Sequence, residues 1–432
     1  MVKLLMISHN GFSDQNANGI TIKKLLSAYA PEDVAQLYCG VEFPDFTTAS
    51  NHFRITDMDV IKAFVRKDGQ HVFNRKLGDA VSVGKNPPFN SVDAKGIPTL
   101  LKRRKYNYWI RWARELMRMA SPWGHQLLDD WIEEVSPTCI VYMVGESWFL
   151  DRVVSKTVKK TGSPLVLYNC EAYRLVDPKD RVGAERAYCY YSAERYAKLH
   201  KIASLVIYNS RMLERAYSTR FGRAANNVVA YNSAACLTES DSIKHNALVV
   251  TYFGNLGVGR VESLIDVARV LKSLGGSLFL DVYGLAQEED IRKFAEQENI
   301  RYHGLVQPDV LKDVIRNSDI LLHVESFDPV IRKKIKYAFS TKIAQCLQSG
   351  KYFISYAPKE IASSQYLLEE GAPLASNIEE LERLFGMAIA DSCYREETAR
   401  QELALGKRNH DQATTARMVK RSIQESTGCG SV

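Results

Sequence analysis

The sequence has few of the features that mark membrane-spanning, metal-binding or repeat proteins. None of its apolar runs reaches the roughly 18 residues that a transmembrane helix needs, and the apolar start, Met1 to Ile7, is too short for a secretory signal peptide. Its eight cysteines form no Cys-x-x-Cys pair, which argues against a zinc ribbon or a thioredoxin motif. No internal repeat, low-complexity tract or cluster of metal ligands appears. We therefore expect a globular cytoplasmic protein that holds no metal and whose cysteines are mostly small core side chains.

Length and charge distribution add two expectations. The 432 residues exceed what one compact core usually holds and predict two domains. Residues 1–237 carry 33 Lys and Arg against 23 Asp and Glu, whereas the remaining residues carry 24 against 27. All of the positive excess therefore belongs to the first half. This asymmetry favours an anionic partner there, namely a phospholipid surface, a phosphate-bearing acceptor or a nucleic acid.

Short runs rich in β-branched and aromatic residues alternate with amphipathic segments along the chain. In the first half, strands are predicted at 3–8, 34–39, 138–144, 164–169, 204–208 and 227–231, and helices at 20–30, 149–161, 183–201 and 210–220. In the second half, strands are predicted at 248–253, 277–283, 300–303, 319–324 and 351–356, with helices between them. The pattern predicts the α/β class, with two doubly wound parallel-sheet domains facing a central cleft.

Three segments do not follow the alternation. The stretch 42–105 has no clear period and is interpreted as holding an insertion, in which 85–90 is a loop. Residues 232–247 are rich in small polar residues and are predicted to link the domains. The last 40 residues are predicted to be helical up to a frayed tail.

A glycine-rich turn, Gly254-Asn-Leu-Gly-Val-Gly-Arg260, lies between a predicted strand and a predicted helix. Glycines let a backbone approach a ligand closely, and a helix N-terminus offers free N–H groups to a diphosphate. Arg260 adds a cation with several donors. Taken alone, the segment is equally compatible with phosphate binding and with an ordinary turn between a strand and a helix.

Further segments follow this turn in an order that resembles the retaining glycosyltransferases of family four, which have the GT-B fold. The segments are Asp281-Val-Tyr-Gly284, His303-Gly304-Leu305-Val306, Asp319-Ile-Leu-Leu-His-Val-Glu-Ser-Phe327 and Ser340-Thr-Lys-Ile-Ala-Gln-Cys-Leu-Gln-Ser-Gly-Lys351. In the first half, Asn209-Ser210-x-Met212 with Tyr217 and Arg220-Phe221-Gly222 matches a recurrent pattern of that family. As an ordered set these matches are specific, and they are weakest between residues 42 and 135.

The resemblance implies an acceptor-binding domain at 1–236, a nucleotide-sugar-binding domain at 237–405 and a helix at 406–432 that crosses back to the first domain. It implies a metal-independent transfer with no cofactor besides the donor substrate. The residues that it implies for donor binding are Gly254, Asn255, Arg260, Tyr283, Gly284, Leu305, Val306, Ser326, Phe327, Thr341 and Gln345. Lys342, at a helix start, is added to them as a candidate for the diphosphate. Asn255 stands where the family usually has Arg.

The hallmark of the family is a pair of glutamates separated by seven residues, of which the first faces the donor sugar and the second binds the ribose. Glu325 takes the first place and is the first predicted catalytic residue. Gln345 takes the second, and residues 329–340 are inserted between them. A glutamine amide can still hydrogen-bond a ribose diol, but without the charge-assisted bond of a carboxylate. The cations of the inserted 331–336 segment either cover the donor diphosphate or an acidic sugar, or belong to a solvated loop.

Three segments of the first half follow predicted strands. Asn18 and Gly19 resemble the family's glycine-rich loop between donor and acceptor; the alternative is an ordinary turn capped by Asn18. Glu171 lies where many family members have His and is the second predicted catalytic residue. Glu146 is expected to meet the acceptor. The alternative for Glu146 and Glu171 is a surface carboxylate.

The segment Lys102–Arg118 holds seven cations, one anion and four Tyr or Trp residues. A basic amphipathic helix with interfacial aromatics fits an anionic lipid surface, and the same pattern could bind nucleic acid. The alternative is a helix with its tryptophans in the core and a solvated basic face.

Together these features predict a retaining hexosyl- or related glycosyltransferase of cell-surface polysaccharide or lipid-linked glycan assembly. Its expected partners are a nucleotide-sugar donor, a saccharide or lipid-linked saccharide acceptor and an anionic surface on the inner face of the cytoplasmic membrane, with nucleic acid disfavoured. Two alternatives stay open. One is another GT-B enzyme such as a sugar-nucleotide epimerase, and the other is a non-catalytic lipid- or nucleic-acid-binding protein with a degenerate site.

Overall fold

The chain folds into two compact units. The computed structural model describes residues 3–14, 16–66, 73–76, 107–237, 248–275 and 278–428. The first unit comprises Met1–Tyr208, Leu213–Val229 and Ala416–Val432, and the second comprises Asn209–Met212 and Ala230–Thr415. The chain therefore passes from the first unit to the second at residues 229–230 and returns at 415–416.

The first unit is built on an eight-stranded sheet with the order β4-β3-β2-β1-β5-β6-β7-β8. Its strands are β1 (Leu4–Ser8), β2 (Val34–Tyr38), β3 (Asn51–Arg54), β4 (Phe73–Lys76), β5 (Cys139–Met143), β6 (Leu165–Asn169), β7 (Ala203–Tyr208) and β8 (Asn227–Val229). Neighbouring strands are parallel, except that β4 runs antiparallel to β3 at the edge. Every residue of β1, β2, β5 and β6 is buried, as in parallel sheets that are covered on both faces.

The second unit has a six-stranded, entirely parallel sheet with the order β11-β10-β9-β12-β13-β14. Its strands are β9 (Val249–Phe253), β10 (Phe279–Tyr283), β11 (Ile300–Gly304), β12 (Ile320–Val324), β13 (Tyr352–Tyr356) and β14 (Leu374–Ala375). The central strands β12 and β13 are buried along their whole length.

Helices connect the strands in both units. In the first part of the chain they are α1 (Ala17–Leu25), α2 (Asp57–Arg66), α3 (Tyr108–Ala120), α4 (His125–Val135), α5 (Trp148–Thr161), α6 (Gly183–Ile202) and α7 (Arg211–Phe221), with short 3₁₀ helices at Pro31–Asp33 and Pro178–Asp180. In the second part they are α8 (Arg260–Ser273), α9 (Glu288–Ala295), α10 (Pro308–Arg316), α11 (Pro329–Ile335), α12 (Thr341–Leu347), α13 (Ala362–Glu369), α14 (Ile378–Ala390), α15 (Ser392–Asn409) and α16 (Gln412–Thr427).

Each sheet has one point at which the strand order reverses. In the first sheet this point lies between β1 and β5, and in the second it lies between β9 and β12. Ligands of doubly wound sheets bind beyond the carboxyl ends of the strands at such a point. Residues 9–12 and 144–147 follow these strands in the first unit, and residues 254–260 and 325–328 follow them in the second.

The α/β class with two parallel-sheet domains is confirmed, and each predicted strand lies within two residues of the observed one. The interpretation of 42–105 is corrected, because its described parts hold β3, α2 and β4, which extend the first sheet. The strand β3 has four residues, and three of them are polar, so it has no apolar period to find. The loop predicted at 85–90 and residues 238–247 of the predicted link lie outside the described residues.

The described part of the last 40 residues is helical as predicted, but it forms α15 and α16 and not one continuous helix; the loop considered for 331–336 is corrected. The terminal helix is interrupted at His410, which is fully buried with its Nδ1 2.7 Å from the carbonyl oxygen of Asn232 and its Nε2 2.8 Å from the hydroxyl of Tyr366. The side chain can reach both partners because the helix ends there. The solvated loop considered for 331–336 belongs mostly to helix α11, in which Asp328 Oδ1 accepts the N–H groups of Val330 and Ile331.

Most of the described cysteines are core residues, as predicted. Cys39, Cys139, Cys170 and Cys346 are buried, Cys189 is half-buried, and Cys236 and Cys393 are exposed. No helix among the described residues is long and apolar enough to cross a membrane. Within the same ranges, no group of three His, Cys, Asp or Glu side chains is arranged to hold a metal ion.

The buried carboxyl of Glu402 predicts a pH-dependent stability. It is held on α15, where one oxygen accepts the Phe353 N–H at 2.9 Å, and burial raises its pKa well above the ordinary 4.5 although this bond opposes the shift. Because the folded state binds this proton more tightly than the unfolded state, its contribution to stability is lost as pH rises above 4.5. We expect Glu402→Gln to unfold at a higher temperature than the parent at pH 8, with the difference shrinking at pH 5. Thermal scans at both pH values measure it, with the exposed Glu396→Gln as the control, and an equal pH dependence of parent and Glu402→Gln contradicts it.

Candidate functional site

The glycine-rich turn after β9 packs directly against the end of β10. Gly254 donates its N–H to the carbonyl oxygen of Tyr283 at 2.9 Å. A Cβ at Gly284 would lie 2.0 Å from the carbonyl oxygen of Gly254, so no larger residue fits there. Three predicted donor-binding residues, Gly254, Tyr283 and Gly284, are thus in contact.

Two consecutive residues with left-handed backbone end this turn. Val258 has φ 63° and Gly259 has φ 70°, and a β-branched residue in that region is strained. A Cβ at Gly259 would lie 2.6 Å from Ile331 Cδ1 and 2.7 Å from Ser326 Oγ. The glycine therefore lets the start of α8 approach the end of β12.

Glu325, directly after β12, is held between Arg260 and His323. The guanidinium of Arg260 donates to both carboxylate oxygens, at 2.9 and 3.0 Å, and it also donates to the carbonyl oxygen of Asn255 at 3.1 Å. His323 Nε2 lies 3.2 Å from Glu325 Oε1, and His323 Nδ1 lies 3.0 Å from Ser355 Oγ. The cluster ties the glycine turn to β12 and β13.

This arrangement engages two groups that the sequence assigned to the donor. Glu325 is only 2% exposed. Burial acts to raise its pKa, but the bond with His323 and the charge of Arg260 outweigh burial and hold the pKa below the ordinary range. A buried carboxylate that stays ionised is suited to orienting Arg260. His323 was not predicted, although residues 323 and 325 share one face by the two-residue period of a strand.

Lys342, in the first turn of α12, lies across the glycine turn. Its Nζ donates to Gln345 Oε1 at 3.1 Å and lies 5.3 Å from the ring centroid of Phe253. A Cβ at Gly254 would lie 3.1 Å from Lys342 Cε. The N–H of Lys342 is capped by Ser340 Oγ at 3.3 Å. The structure thus brings Lys342 and Gln345, which were predicted from separate patterns, to the same strand end.

The residues expected beside the donor base lie at the adjoining strands. Tyr283 stacks on His303 with a centroid distance of 4.5 Å and an interplanar angle of 10°, and His303 Nε2 lies 2.7 Å from Asp281 Oδ1. Leu305 follows β11 and is 74% exposed, while Phe327 packs against the core of the second unit. Val306 and Thr341 are half-buried. Leu305 and Val306 follow β11, which is separated from β9 by β10.

A cavity of about 440 Å³ opens at the reversal point of the first sheet. Its lining residues are His9, Asn10, Asn18, Arg111, Arg114, Glu115, Met143, Val144, Gly145, Glu146, Ser147, Tyr173 and Tyr188. Asn18 and Glu146, which the sequence assigned to the acceptor, both line this cavity. Gly19 instead lies buried in α1, where a Cβ would be 2.7 Å from the carbonyl oxygen of Gly11. The helix is capped by Asn16, whose Oδ1 accepts the Gly19 N–H at 2.6 Å, and not by Asn18.

Glu171 follows β6 and is not part of this lining. Burial raises the pKa of Glu171 to about 7, so the carboxyl can exchange a proton near neutral pH. Its carbonyl oxygen accepts the Tyr217 hydroxyl at 3.0 Å, which fixes the backbone. Tyr173, two residues later, does line the cavity. Glu171 is therefore two residues away in sequence from a residue that lines the cavity. A pKa of about 7 suits a general acid or base.

Residues 108–118 of the basic segment lie in α3, and their three cations are paired. Arg114 and Arg118 both contact Asp57, at 2.8 and 2.6 Å, and Arg118 is buried. Arg111 contacts Glu146 at 3.1 Å. The helix therefore directs these cations toward the cavity wall and α2, which the sequence did not reveal. The alternative of a solvated basic face does not hold for Arg118, which is buried, and Arg111 and Arg114 are paired with carboxylates.

The two tryptophans of α3 have different environments. Trp112 donates its Nε1–H to the carbonyl oxygen of Ala184 at 3.1 Å and packs on Trp148 and Tyr188, as in the alternative that places tryptophans in the core. Trp109 is 72% exposed. Residues 102–106, which hold four of the predicted cations, lie outside the described residues.

Comparisons with known proteins show a shared fold. No protein-family model and no curated protein sequence matches this chain. Among solved structures, HepE of Anabaena in complex with UDP is similar with a TM-score of 0.64 and 13% identity, over 98% of this chain and 100% of that chain. The α,α-trehalose 6-phosphate synthase of Burkholderia multivorans gives 0.62 and 10%, and the sucrose-phosphate synthase of Thermosynechococcus elongatus gives 0.60 and 11%, each over 100% of both chains. The chain therefore has the GT-B fold of these proteins.

Proposed function

We propose that this chain is a glycosyltransferase that moves a hexosyl or related group from a nucleoside-diphosphate sugar to a saccharide acceptor, with retention at the anomeric carbon. The observation that carries the proposal is the position of the glycine turn, Lys342 and Gln345. All three lie beyond the carboxyl ends of β9 and β12, where the strand order reverses. HepE, which shares the fold, has been solved with UDP and glucose, which supports the choice of donor.

The donor groups divide among these residues by their chemistry. The glycine turn and the start of α8 offer backbone N–H groups to the diphosphate, and Lys342 supplies a point charge. The amide of Gln345 can both donate to and accept from a ribose diol. Tyr283, Gly284 and the backbone of Leu305 are assigned to the base. Arg260 is kept in place by Glu325 and adds a second cation at the helix start.

The same residues assist departure of the leaving group. The bond between the anomeric carbon and the diphosphate oxygen breaks, the bond to the acceptor oxygen forms, and negative charge develops on the diphosphate. Lys342 and the turn's N–H groups are preorganised for that charge, which is usually a large part of catalysis. Glu325 contributes by orienting Arg260. Glu171, which lies outside the cavity lining and whose pKa burial raises to about 7, is proposed as the group that accepts the proton of the acceptor hydroxyl.

The acceptor is assigned to the cavity of the first unit. Its wall carries Asn18, Glu146 and the rings of Tyr173 and Tyr188, which suit the hydroxyls and apolar faces of a saccharide. Lipid-linked glycan or cell-surface polysaccharide assembly, a cytoplasmic site and peripheral contact with an anionic membrane remain part of the proposal. The positive excess of residues 1–237 supports them.

Donor hydrolysis tests the proposal. The full chain is incubated with UDP-glucose and the corresponding GDP and dTDP sugars without acceptor, and free sugar is followed by chromatography. Slow release of a sugar with the donor's anomeric configuration is expected. Inversion at C2 of an intact nucleotide sugar would make it an epimerase instead. A chain that neither binds nor hydrolyses any of these donors is not a glycosyltransferase of this kind.

The second test concerns Gln345. Gln345→Ala is expected to lower the affinity for the nucleoside diphosphate by about tenfold, because the hydrogen bonds to the ribose and to Lys342 are lost. Gln345→Glu should keep or improve the affinity, since a carboxylate can also accept from the diol. Calorimetry with the diphosphate of the active donor measures both, with the exposed Gln401→Ala as the control. Equal affinity of Gln345→Ala and the parent would remove this residue from the site.

A further inference from the structure

The wall of the first-unit cavity carries two guanidinium groups and two carboxylates, which are not equally free to meet a ligand. Helix α3 contributes Arg111 and Arg114 to the wall, together with Glu115. Glu115 is buried and fully engaged, since its Oε2 accepts from Ser147 Oγ at 2.9 Å and from the Phe149 N–H at 2.7 Å. These bonds tie it to the start of α5, where the helix dipole favours a negative charge. Its Oε2 is therefore not available to a ligand.

The carboxylate of Asp57 serves two arginines at once. Arg114 Nη2 lies 2.8 Å from one of its oxygens and Arg118 Nη2 lies 2.6 Å from the other. The carboxylate of Glu115 also acts electrostatically on Arg118. Among the described residues, the buried Nε of Arg114 has no hydrogen-bond acceptor. Arg114, which lines the cavity, is therefore only partly satisfied by Asp57.

Arg111 is paired with a carboxylate that can be displaced. Its partner Glu146 lies 3.1 Å away and is 52% exposed, whereas Arg111 is 18% exposed and lies over the ring of Tyr108 at 5.0 Å. An ion pair with an exposed carboxylate is worth little, whereas the guanidinium itself is mostly buried beside Tyr108. A ligand carboxylate or phosphate could therefore replace Glu146 and form bidentate bonds.

We propose that this cavity recognises an acidic saccharide, whose carboxylate or phosphate replaces Glu146 on Arg111 and lies next to Arg114. The inference rests on the proposed function, because it names the class of acceptor for the same transfer. It also accounts for part of the positive excess in the first half of the sequence, which the described portion of α3 directs toward this cavity. Tyr173, Tyr188 and Asn18 remain for the ring and hydroxyls of the sugar.

Two substitutions with opposite expected signs test the proposal. Arg111→Gln should weaken binding of an acidic sugar by about tenfold or more, whereas Glu146→Gln should strengthen it because the competing carboxylate is gone. The probes are glucuronic acid, glucose 6-phosphate and glucose, titrated into the full chain by calorimetry or ligand-observed NMR. Tighter binding of glucuronic acid identifies a carboxylate, and tighter binding of glucose 6-phosphate identifies a phosphate. The matched control is Arg152→Gln, at an exposed arginine on α5 of the same unit. It should change the affinity for neither acidic sugar.

The outcomes separate this inference from the proposed function. Three results would overturn the inference. Glucose could bind as tightly as both acidic sugars, or neither acidic sugar could bind. The third is that the parent and a folded Arg111→Gln variant bind the acidic sugars with equal affinity. Each sample is also titrated with UDP. If UDP binds but Arg111→Gln does not weaken acidic-sugar binding, the transferase proposal stays intact and only this inference fails. Acidic-sugar binding that depends on Arg111, without any nucleotide binding or donor hydrolysis, supports the site and removes the transferase.

Discussion

Replacing Lys342 with Ala is expected to lower kcat/KM for the active donor by roughly 10²–10³, the range for removing one charge-stabilising donor. The reason is geometric. The ammonium lies over the turn that is proposed to hold the diphosphate, next to Gly254 and Gln345. Because negative charge grows on the diphosphate only as the glycosidic bond breaks, most of the loss should fall on kcat. Steady-state kinetics with saturating acceptor measures it.

The matched control is Lys407→Ala, an exposed lysine of the same unit on α15, which should leave the kinetics unchanged. Arg260→Ala should also reduce kcat/KM, but with an additional lowering of the melting temperature because the buried Glu325 loses its partner. Lys342→Ala should keep the parent's melting temperature. Parent-like kinetics of a folded Lys342→Ala variant would exclude this lysine from diphosphate stabilisation.

Much of the second unit could be predicted from the sequence because its chemistry follows the strand order. Buried parallel strands are continuous apolar runs, and the turns that follow them are marked by glycine or by a polar break. Gly254, Glu325 and Lys342 are spread over 89 positions of the printed sequence. They could be grouped because the carboxyl ends of parallel strands share one edge of the sheet.

What the sequence could not show are the partners of these groups. The pairing of Arg260 with Glu325 depends on the close approach that Gly259 permits, and this is a property of packing, not of spacing. The helix that contains the arginines of α3 was predicted correctly, but the surroundings of those arginines were not. Nothing in the local pattern reveals that Asp57, from a helix that has no clear signal, lies beside Arg114.

A buried ion pair contacts a residue that lines the cavity of the first unit. Arg174 Nη2 lies 2.9 Å from Asp151 Oδ1, and both side chains are fully buried. The same carboxylate oxygen accepts the Tyr142 hydroxyl at 2.7 Å, and Arg174 donates to the carbonyl oxygen of Ser147 at 3.3 Å. Ser147 lines the cavity. The pair therefore joins β5, the start of α5 and the segment after β6.

Asp151→Ala is expected to lower the free energy of unfolding of this unit by about 3–5 kcal/mol, because it leaves the Arg174 guanidinium buried without a counter-charge. Urea unfolding at pH 7.5, followed by the fluorescence of the first unit's tryptophans, measures the loss. That pH is chosen because burial raises the pKa of Asp151 to about 6, so the carboxylate is ionised in the parent.

The double variant Asp151→Leu with Arg174→Met separates the cost of an unpaired charge from the value of the pair. Folding removes both ions from water, which costs free energy. Buried pairs can therefore often be replaced by apolar side chains of similar volume with little loss of stability. We therefore expect the double variant to be more stable than Asp151→Ala, although it removes more polar contacts. It should also be more stable than the sum of the single effects of Asp151→Leu and Arg174→Met predicts. If the double variant were the less stable of the two, the hydrogen bonds from Tyr142 and to Ser147 would dominate instead. If Asp151→Ala unfolded like the parent, Arg174 would have to reach water in the folded state, which contradicts its complete burial.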